Sequence, residues 1–294
     1  NPREITLMRM GIDESLMAFV AANARNKTVG FDAKLLSMDN HRRWLSLAER
    51  HGFSVLSKND NLVDRIWHDR PALPNSVIHS HDLVYSGQTC ESKLTLLRDA
   101  LRQRQCQATV LTTLDSIAWL VNLRGQDLPT SPIFIGFMVV SVSDAVLYVD
   151  VARLQKGVDS LLSDAGVQVR GMDGFEGDVA DLSGPVSLDF KTTSHWLQSL
   201  VRAEVTVEAC PIPLLKAVKN PVEQDGMREA HRRDAVAIIK LMVWLETHWQ
   251  GLDEVDVAER LQAFRRMDPT YKGLSFATIS AFGANSEVTH YNPS

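Results

Sequence analysis

One pattern occurs twice in this chain, and it limits the folds open to it. Val29-Gly30-Phe31-Asp32 is followed by Trp44-Leu45, the run Phe53–Leu56 and Asn61-Leu62-Val63-Asp64-Arg65-Ile66. Val186-Ser187-Leu188-Asp189 is followed by His195-Trp196-Leu197, the run Val205–Ala209 and Pro213-Leu214-Leu215-Lys216-Ala217-Val218. Order and polarity match at a spacing of roughly 150 residues. The physical reading is a duplicated, layered α/β unit; general likeness among α/β domains is the competing one. The first copy has only 28 residues ahead of its Val-x-x-Asp, and the second about a hundred. If the copies are equivalent, roughly 70 residues are missing from the front.

Taken in order, the first segment (1–79) alternates strands and helices. Ile5–Met10 is β-leaning. Asp13 is a plausible N-cap for a helix over Glu14–Ala24, and Asp39 or Asn40 for one over His41–His51 that Gly52 stops. Asn59–Trp67 reads as a helix, and Pro71–Ser76 as a linker. The second segment (80–217) reads helix Glu91–Gln105, strand Thr109–Leu114 and a short helix over Ser116–Asn122. Strands Ile133–Ser141 and Val146–Val149, helix Gly157–Ala165 and strand Val167–Met172 precede the second copy.

The third segment (218–294) opens with Asn220-Pro221 and Glu223, an N-cap, a first-turn proline and a box-like partner. The helix they start runs to about Trp249. Ala235, Ile238, Ile239, Met242 and Leu245 form one apolar stripe on it, which should face inward. A second helix, Asp253–Met267, would bury Val255, Ala258, Leu261 and Phe264, and its acidic start suits the helix dipole. The alternation that follows predicts two short strands, Ser275–Ser280 and Glu287–Tyr291, joined by a turn at Gly283 and Asn285. His290 then sits at a strand end beside a turn. A lone imidazole there is either a hydrogen-bonded structural group or a proton donor.

Composition excludes several functions. The chain has 294 residues, 45% hydrophobic and 23% charged, which is ordinary for about two globular domains. A net charge of −5 argues against nucleic acid as a partner. Cys90, Cys106 and Cys210 lie far apart, match no metal spacing and cannot all pair, so a reducing compartment is expected. The longest apolar run, Ile133–Val142, is half of what a membrane span needs. With no signal-peptide pattern, the expected location is the cytoplasm. A first residue other than Met suggests trimming. There is no Ser/His/Asp arrangement, no phosphate-cradling Gly loop and no aromatic stacking platform. His231 and His248 read as solvated or interfacial.

Four strings carry a family resemblance. They are Leu114-Asp115-Ser116-Ile117-Ala118-Trp119-Leu120-x-Asn122-Leu123-Arg124-Gly125, Lys216-Ala217-Val218-Lys219-Asn220, Gly226-Met227-Arg228-x-Ala230-His231, and Leu274-Ser275-Phe276 through Gly283-x-Asn285 to His290-Tyr291-x-Pro293. In this order they resemble the Xaa-Pro aminopeptidases, metallopeptidases with the pita-bread fold, in their three-domain form. The resemblance implies two tandem creatinase N-terminal-like α/β domains, the first truncated, then the opening helices and hairpin of an α+β pita-bread domain. It implies a parent enzyme that releases an N-terminal residue preceding proline and acts as a homodimer. Two divalent metal ions, manganese being the expected one, would bridge the attacking water. The family's ligands, two Asp, two Glu and one His, fall beyond Ser294, so the resemblance assigns no metal ligand here, and a single imidazole cannot hold a hard dinuclear centre.

His290 matches the family's active-site histidine. The resemblance implies that it touches substrate and stabilises charge on the scissile carbonyl oxygen, so it is both the catalytic and the substrate-binding candidate. Asp115 and Arg124 are expected to cap a helix and to make a domain-packing ion pair. The chain alone is expected to bind no metal and to be inactive. Two alternatives remain: a metal-free pita-bread module that binds proteins, as in a histone chaperone, and a creatinase-like hydrolase.

Overall fold

The computed structural model describes residues 7–9, 11–58 and 60–293. Most of Ile5–Met10 lies outside that set. The first unit holds α1 (Leu16–Asn23), β1 (Thr28–Asp32), α2 (Met38–His51), β2 (Ser54–Lys58) and α3 (Leu62–Ile66). Ser15, not Asp13, caps α1, because Asp13 is taken up by Arg9. Ser37, not Asp39 or Asn40, caps α2, and Gly52 ends it at φ 70°, a left-handed conformation that costs glycine little. β1 and β2 pair in parallel over a small core of Ala24, Leu47, Ala48 and Phe53.

The second unit holds β3 (His79–Ser80), α4 (Leu83–Ser86), α5 (Cys90–Gln103), β4 (Ala108–Leu111), α6 (Leu114–Leu120) and β5 (Leu123–Arg124). It continues with β6 (Phe137–Ser141), β7 (Ala145–Tyr148), α7 (Val158–Asp164), β8 (Gln168–Arg170), α8 (Phe175–Ala180), β9 (Val186–Leu188), α9 (His195–Leu200), β10 (Val205–Val207) and α10 (Ile212–Ala217). Six strands form one mixed sheet in the order β10-β9-β4-β6-β7-β8. Strand alternation divides its side chains between two cores. Leu111, Met138, Val140 and Leu147 meet α5 and α6 on one face; Val110, Val139, Tyr148 and Val186 meet α8 and α9 on the other. Leu94, Leu97, Ile117 and Leu120 are fully buried, each contributing about 1.5–3 kcal/mol.

The duplication shows in hydrogen bonds that repeat at an offset of 157 residues. Asp32 Oδ1 accepts from the Lys34 N–H, as Asp189 Oδ1 does from Lys191. Ser37 caps through the Asn40 N–H, as Ser194 does through Leu197. The copies also meet reciprocally. The Asp39 N–H donates to the Phe190 carbonyl and that of Trp196 to the Ala33 carbonyl, both 2.9 Å; the Met38 N–H donates to Thr193 and that of His195 to Leu36. Ser37 and Ser194 bridge at the centre of this local two-fold. In this register Trp196 matches Asp39, so the expected match of Trp44 with Trp196 is off by five residues.

The third segment is α11 (Pro221–His248) and α12 (Glu254–Arg265). Asn220 and Glu223 make the expected capping box, and Asn220 Nδ2 donates to the Ser86 carbonyl (2.8 Å), seating α11 on the second unit. Gly87, at φ 64°, leaves room for this; a Cβ there would collide with the Asn220 side chain. The expected inward stripe is corrected. α12 covers the face with Ala237, Leu241 and Trp244, while Ile238, Ile239 and Met242 lie exposed on another side. The helix is apolar on two sides, and pattern alone does not say which is covered.

Two histidines meet across the joint of the two copies. The His41 and His195 rings lie 3.9 Å apart beside Phe31, and His195 Nδ1 is buried without a partner. Burial, with His195 nearby, lowers the pKa of His41. A lowered histidine pKa means that the folded joint disfavours the proton. Its contribution is intact above about pH 6.5 and is lost as pH falls through that value toward the folded pKa. Amide exchange at Met38, Asp39, His195 and Trp196, corrected for intrinsic rate, should therefore quicken between about pH 7.5 and about pH 5.5. In His41→Asn the change should shrink markedly.

Candidate functional site

The segment after α12 is organised by one carboxylate. Glu254 opens α12, where Asp253 and Asp256 form the capping box. Its Oε1 accepts from the Phe282 N–H at 2.5 Å. The Asn285 Nδ2 donates to both of its oxygens, at 3.2 and 3.1 Å, and the Tyr291 hydroxyl donates to Oε2 at 2.6 Å. Three groups, making four hydrogen bonds, thus converge on one helix N-terminus. The Tyr291 hydrogen bond, with those from Phe282 and Asn285, holds the Glu254 carboxyl below the usual range and raises the tyrosine's pKa in turn.

This clamp overturns the expected hairpin. Neither Ser275–Ser280 nor Glu287–Tyr291 is a strand, and Gly283–Glu287 is a turn of 3-10 helix. A strand needs a neighbour for its N–H and C=O groups. Among the described residues none pairs with this segment, and the Phe282 N–H, the Asn285 amide and the Tyr291 hydroxyl go to Glu254 instead. Gly283 does take a positive φ, 59°, as the turn reading expects.

His290 follows from the same geometry. It is exposed, at φ 59°, next to the clamped Tyr291, and its ring makes no hydrogen bond among the described residues. It is therefore not sealed in an apolar core. No other histidine or metal-type side chain gathers around it: among the described residues no group of three or more His, Cys, Asp and Glu could hold a metal ion. The donor set for a dinuclear metal centre is not met by these residues. A cleft of about 700 Å³ lies between α11 and the end of α12 and is walled by Tyr85, Arg233, Asp268 and Tyr271, not by His290.

The residues of the Leu114–Gly125 string do structural work. Asp115 pairs with Lys216 of α10, but Thr113 is the N-cap of α6. Arg124 is not in that pair; it donates to the Ala118 and Leu123 carbonyls. Asn122 Oδ1 and the Trp119 carbonyl accept from Lys93 Nζ at 2.6 and 2.8 Å. Burial lowers that lysine's pKa to about 8. His231 and His248 are exposed and bond to carbonyls of their own helix, as expected. In the sequence Glu254, the residue on which the segment depends, is only part of an acidic helix start. Its side-chain role follows from partners about thirty residues away, which no local pattern encodes.

Comparison with known proteins fits this arrangement. Residues 69–223 match the Creatinase/Prolidase N-terminal domain model, and residues 225–294 match Metallopeptidase family M24. The chain belongs to the creatinase/prolidase family and runs on into the M24 pita-bread domain. It is similar to a probable Xaa-Pro aminopeptidase P of Leptosphaeria maculans, 36% identical over 91% of this chain and 47% of that protein. It is also similar to Aminopeptidase P1 of Arabidopsis thaliana, 31% identical over 99% of this chain and 53% of that one. Among solved structures, X-prolyl aminopeptidase from Caenorhabditis elegans, described as a cytosolic enzyme with a di-nuclear active site, superposes with a TM-score of 0.90. It is 26% identical, over 97% of this chain and 49% of that one. The chain spans about half the length of the curated relatives it matches. These relatives carry peptidase names, which favours the peptidase reading over a protein-binding module or a creatinase-like hydrolase.

The clamp gives a direct test. Glu254→Ala should speed amide exchange at Phe282 and through residues 283–291 by at least about tenfold, and should return the Tyr291 phenol toward its ordinary pKa in an ultraviolet titration. Because the Glu254 pKa is lowered in the fold, the clamp holds above the usual glutamate range, about pH 4.3, and releases as pH falls below it. An unchanged Tyr291 titration in the variant would contradict the assignment.

Proposed function

We propose that this chain is part of a metal-dependent exopeptidase that removes the N-terminal residue from peptides with proline in second position. The observation that carries the reading is the continuous likeness to Xaa-Pro aminopeptidases along nearly the whole chain, with a TM-score of 0.90 to the nematode enzyme. Proline lacks an N–H and has a fixed φ, so an X–Pro bond suits few general peptidases. A dedicated site must hold the imide without its donor.

In this reading His290 touches substrate. Its N–H would stabilise negative charge on the scissile carbonyl oxygen as the tetrahedral intermediate forms, the kind of contact worth about 10²–10³ in rate. Exposure and a backbone held by Tyr291 and Glu254 suit that task. Metal ions bound elsewhere in the complete site would activate water, and manganese is the metal we favour. No residue of this chain is assigned as a ligand. We assign residues 1–79 to domain I, 80–217 to domain II and 218–294 to the start of the catalytic domain. The uncovered side of α11, with Met242 and Val243 each 61% exposed, suits burial by the remainder of an M24 domain.

The substrates are peptides with an Xaa-Pro N-terminus. A homodimeric, cytoplasmic enzyme is the expected setting, and neither nucleic acid nor membrane is a proposed partner. Among the described residues no helix is long and apolar enough to cross a membrane.

An assay on an Xaa-Pro tripeptide with added manganese tests the reading. The 294-residue chain alone should be inactive. Joined to the carboxyl-terminal part of the nematode M24 domain it should turn over substrate, and His290→Ala should lower kcat by about 10²–10³. Turnover by the chain alone, or full activity of the His290→Ala form, contradicts the proposal.

A further inference from the structure

The mixed sheet contains a second place where a ligand can sit. β4 and β9 are parallel neighbours. The helix after β4, α6, packs on one face of the sheet with Leu111 and Met138. The helix after β9, α9, packs on the opposite face with Val110 and Val186. Where adjacent parallel strands send their connections to opposite faces, a crevice opens beyond their carboxyl ends, and ligands of α/β proteins bind there. Thr112 directly follows β4, and Asp189–Thr192 directly follows β9. The Thr112 hydroxyl donates to the Thr192 carbonyl at 3.3 Å, closing the floor.

A cleft of about 410 Å³ occupies this point. Phe137 and Trp196 form its wall, with the buried Phe175 behind Phe137. Phe137 stacks on Phe175 at 4.3 Å and 18°, and Phe175 is only 1% exposed, so the wall is rigid. Lys34 reaches in from the first unit, its Nζ 4.9 Å from the Trp196 ring. Glu176 lies on the lining too. Among the described residues neither Lys34 nor Glu176 makes a salt bridge. The cleft thus offers an aromatic wall, one cation, one carboxylate and two hydroxyl-bearing residues, Thr192 and Ser194.

We propose that this cleft binds a small zwitterion with a flat apolar side chain, the chemistry of a free aromatic amino acid. The ring lies on the aromatic wall. Lys34 and the Thr192 and Ser194 hydroxyls take the carboxylate, and Glu176 takes the ammonium. Because Lys34 belongs to the first unit and the rest to the second, the ligand spans their joint. The inference does not rest on the exopeptidase reading.

Ligand-detected NMR titration of the 294-residue chain tests it, with phenylalanine as the probe and 3-phenylpropionate, phenethylamine and glycine as comparisons. An open cleft with this many contacts supports a Kd on the order of 1 mM for phenylalanine. Phenylpropionate and phenethylamine should each bind more weakly, and glycine not measurably. Lys34→Met should weaken phenylalanine and phenylpropionate alike, by about tenfold. Glu176→Gln should weaken phenylalanine and leave phenylpropionate unchanged. Both side chains are exposed, so these variants should keep the fold. No saturable binding of phenylalanine below about 20 mM, glycine binding as tightly as phenylalanine, or wild-type affinity in both variants would overturn the proposal.

Discussion

The fold depends on a single constraint: β4, β6 and β7 are apolar on both sides. Val110 and Leu111, Met138 and Val139, and Val146 and Leu147 are neighbours in sequence that point to opposite faces. A sheet of this kind must be covered twice. Helices α5 and α6 cover one face; α8 and α9 cover the other. The two layers create the division of connections between β4 and β9, so the crevice beyond those strands is a by-product of burying the sheet. The loops placed there carry polar side chains, Thr112 and Thr192 among them.

The first unit is held by a smaller device. Its four reciprocal backbone hydrogen bonds are worth roughly 1 kcal/mol each, net of water. Met38 adds more: it belongs to α2 yet is buried in the core of the second unit. Burying such a side chain contributes about 1.5–3 kcal/mol. The joint is thus a combination of a local two-fold in the backbone and one apolar plug. The same symmetry explains why the joint falls at Ser37 and Ser194, since identical loops meeting about a two-fold must cross at equivalent residues.

Much of this was legible in the residues. Capping chemistry is local, so Asn220 and Glu223 located α11 correctly, and Gly52 located the end of α2. The Val-x-x-Asp repeat survived because Asp32 and Asp189 make the same turn in both copies. Errors came where a distant group decides. The strands foreseen after Gly273 had the right alternation but lack neighbours to pair with. The stripe Ile238-Ile239-Met242 had the right period but not the right side. Glu254 was hidden because a helix start explains an acidic residue well enough that no further role suggests itself.

That last case bears on the site. An imidazole on an exposed segment without secondary structure would wander over many positions, and an oxyanion contact demands a fixed one. In a complete curved sheet, neighbouring strands would fix it. Here Glu254 does so through Phe282, Asn285 and Tyr291, a length of chain that ends beside His290. The carboxylate also sits at the positive end of α12, where a negative charge is favoured. The helix therefore orders the loop without help from the sheet. Among the described residues the backbone next to His290 is held by a helix N-terminus and not by a paired strand.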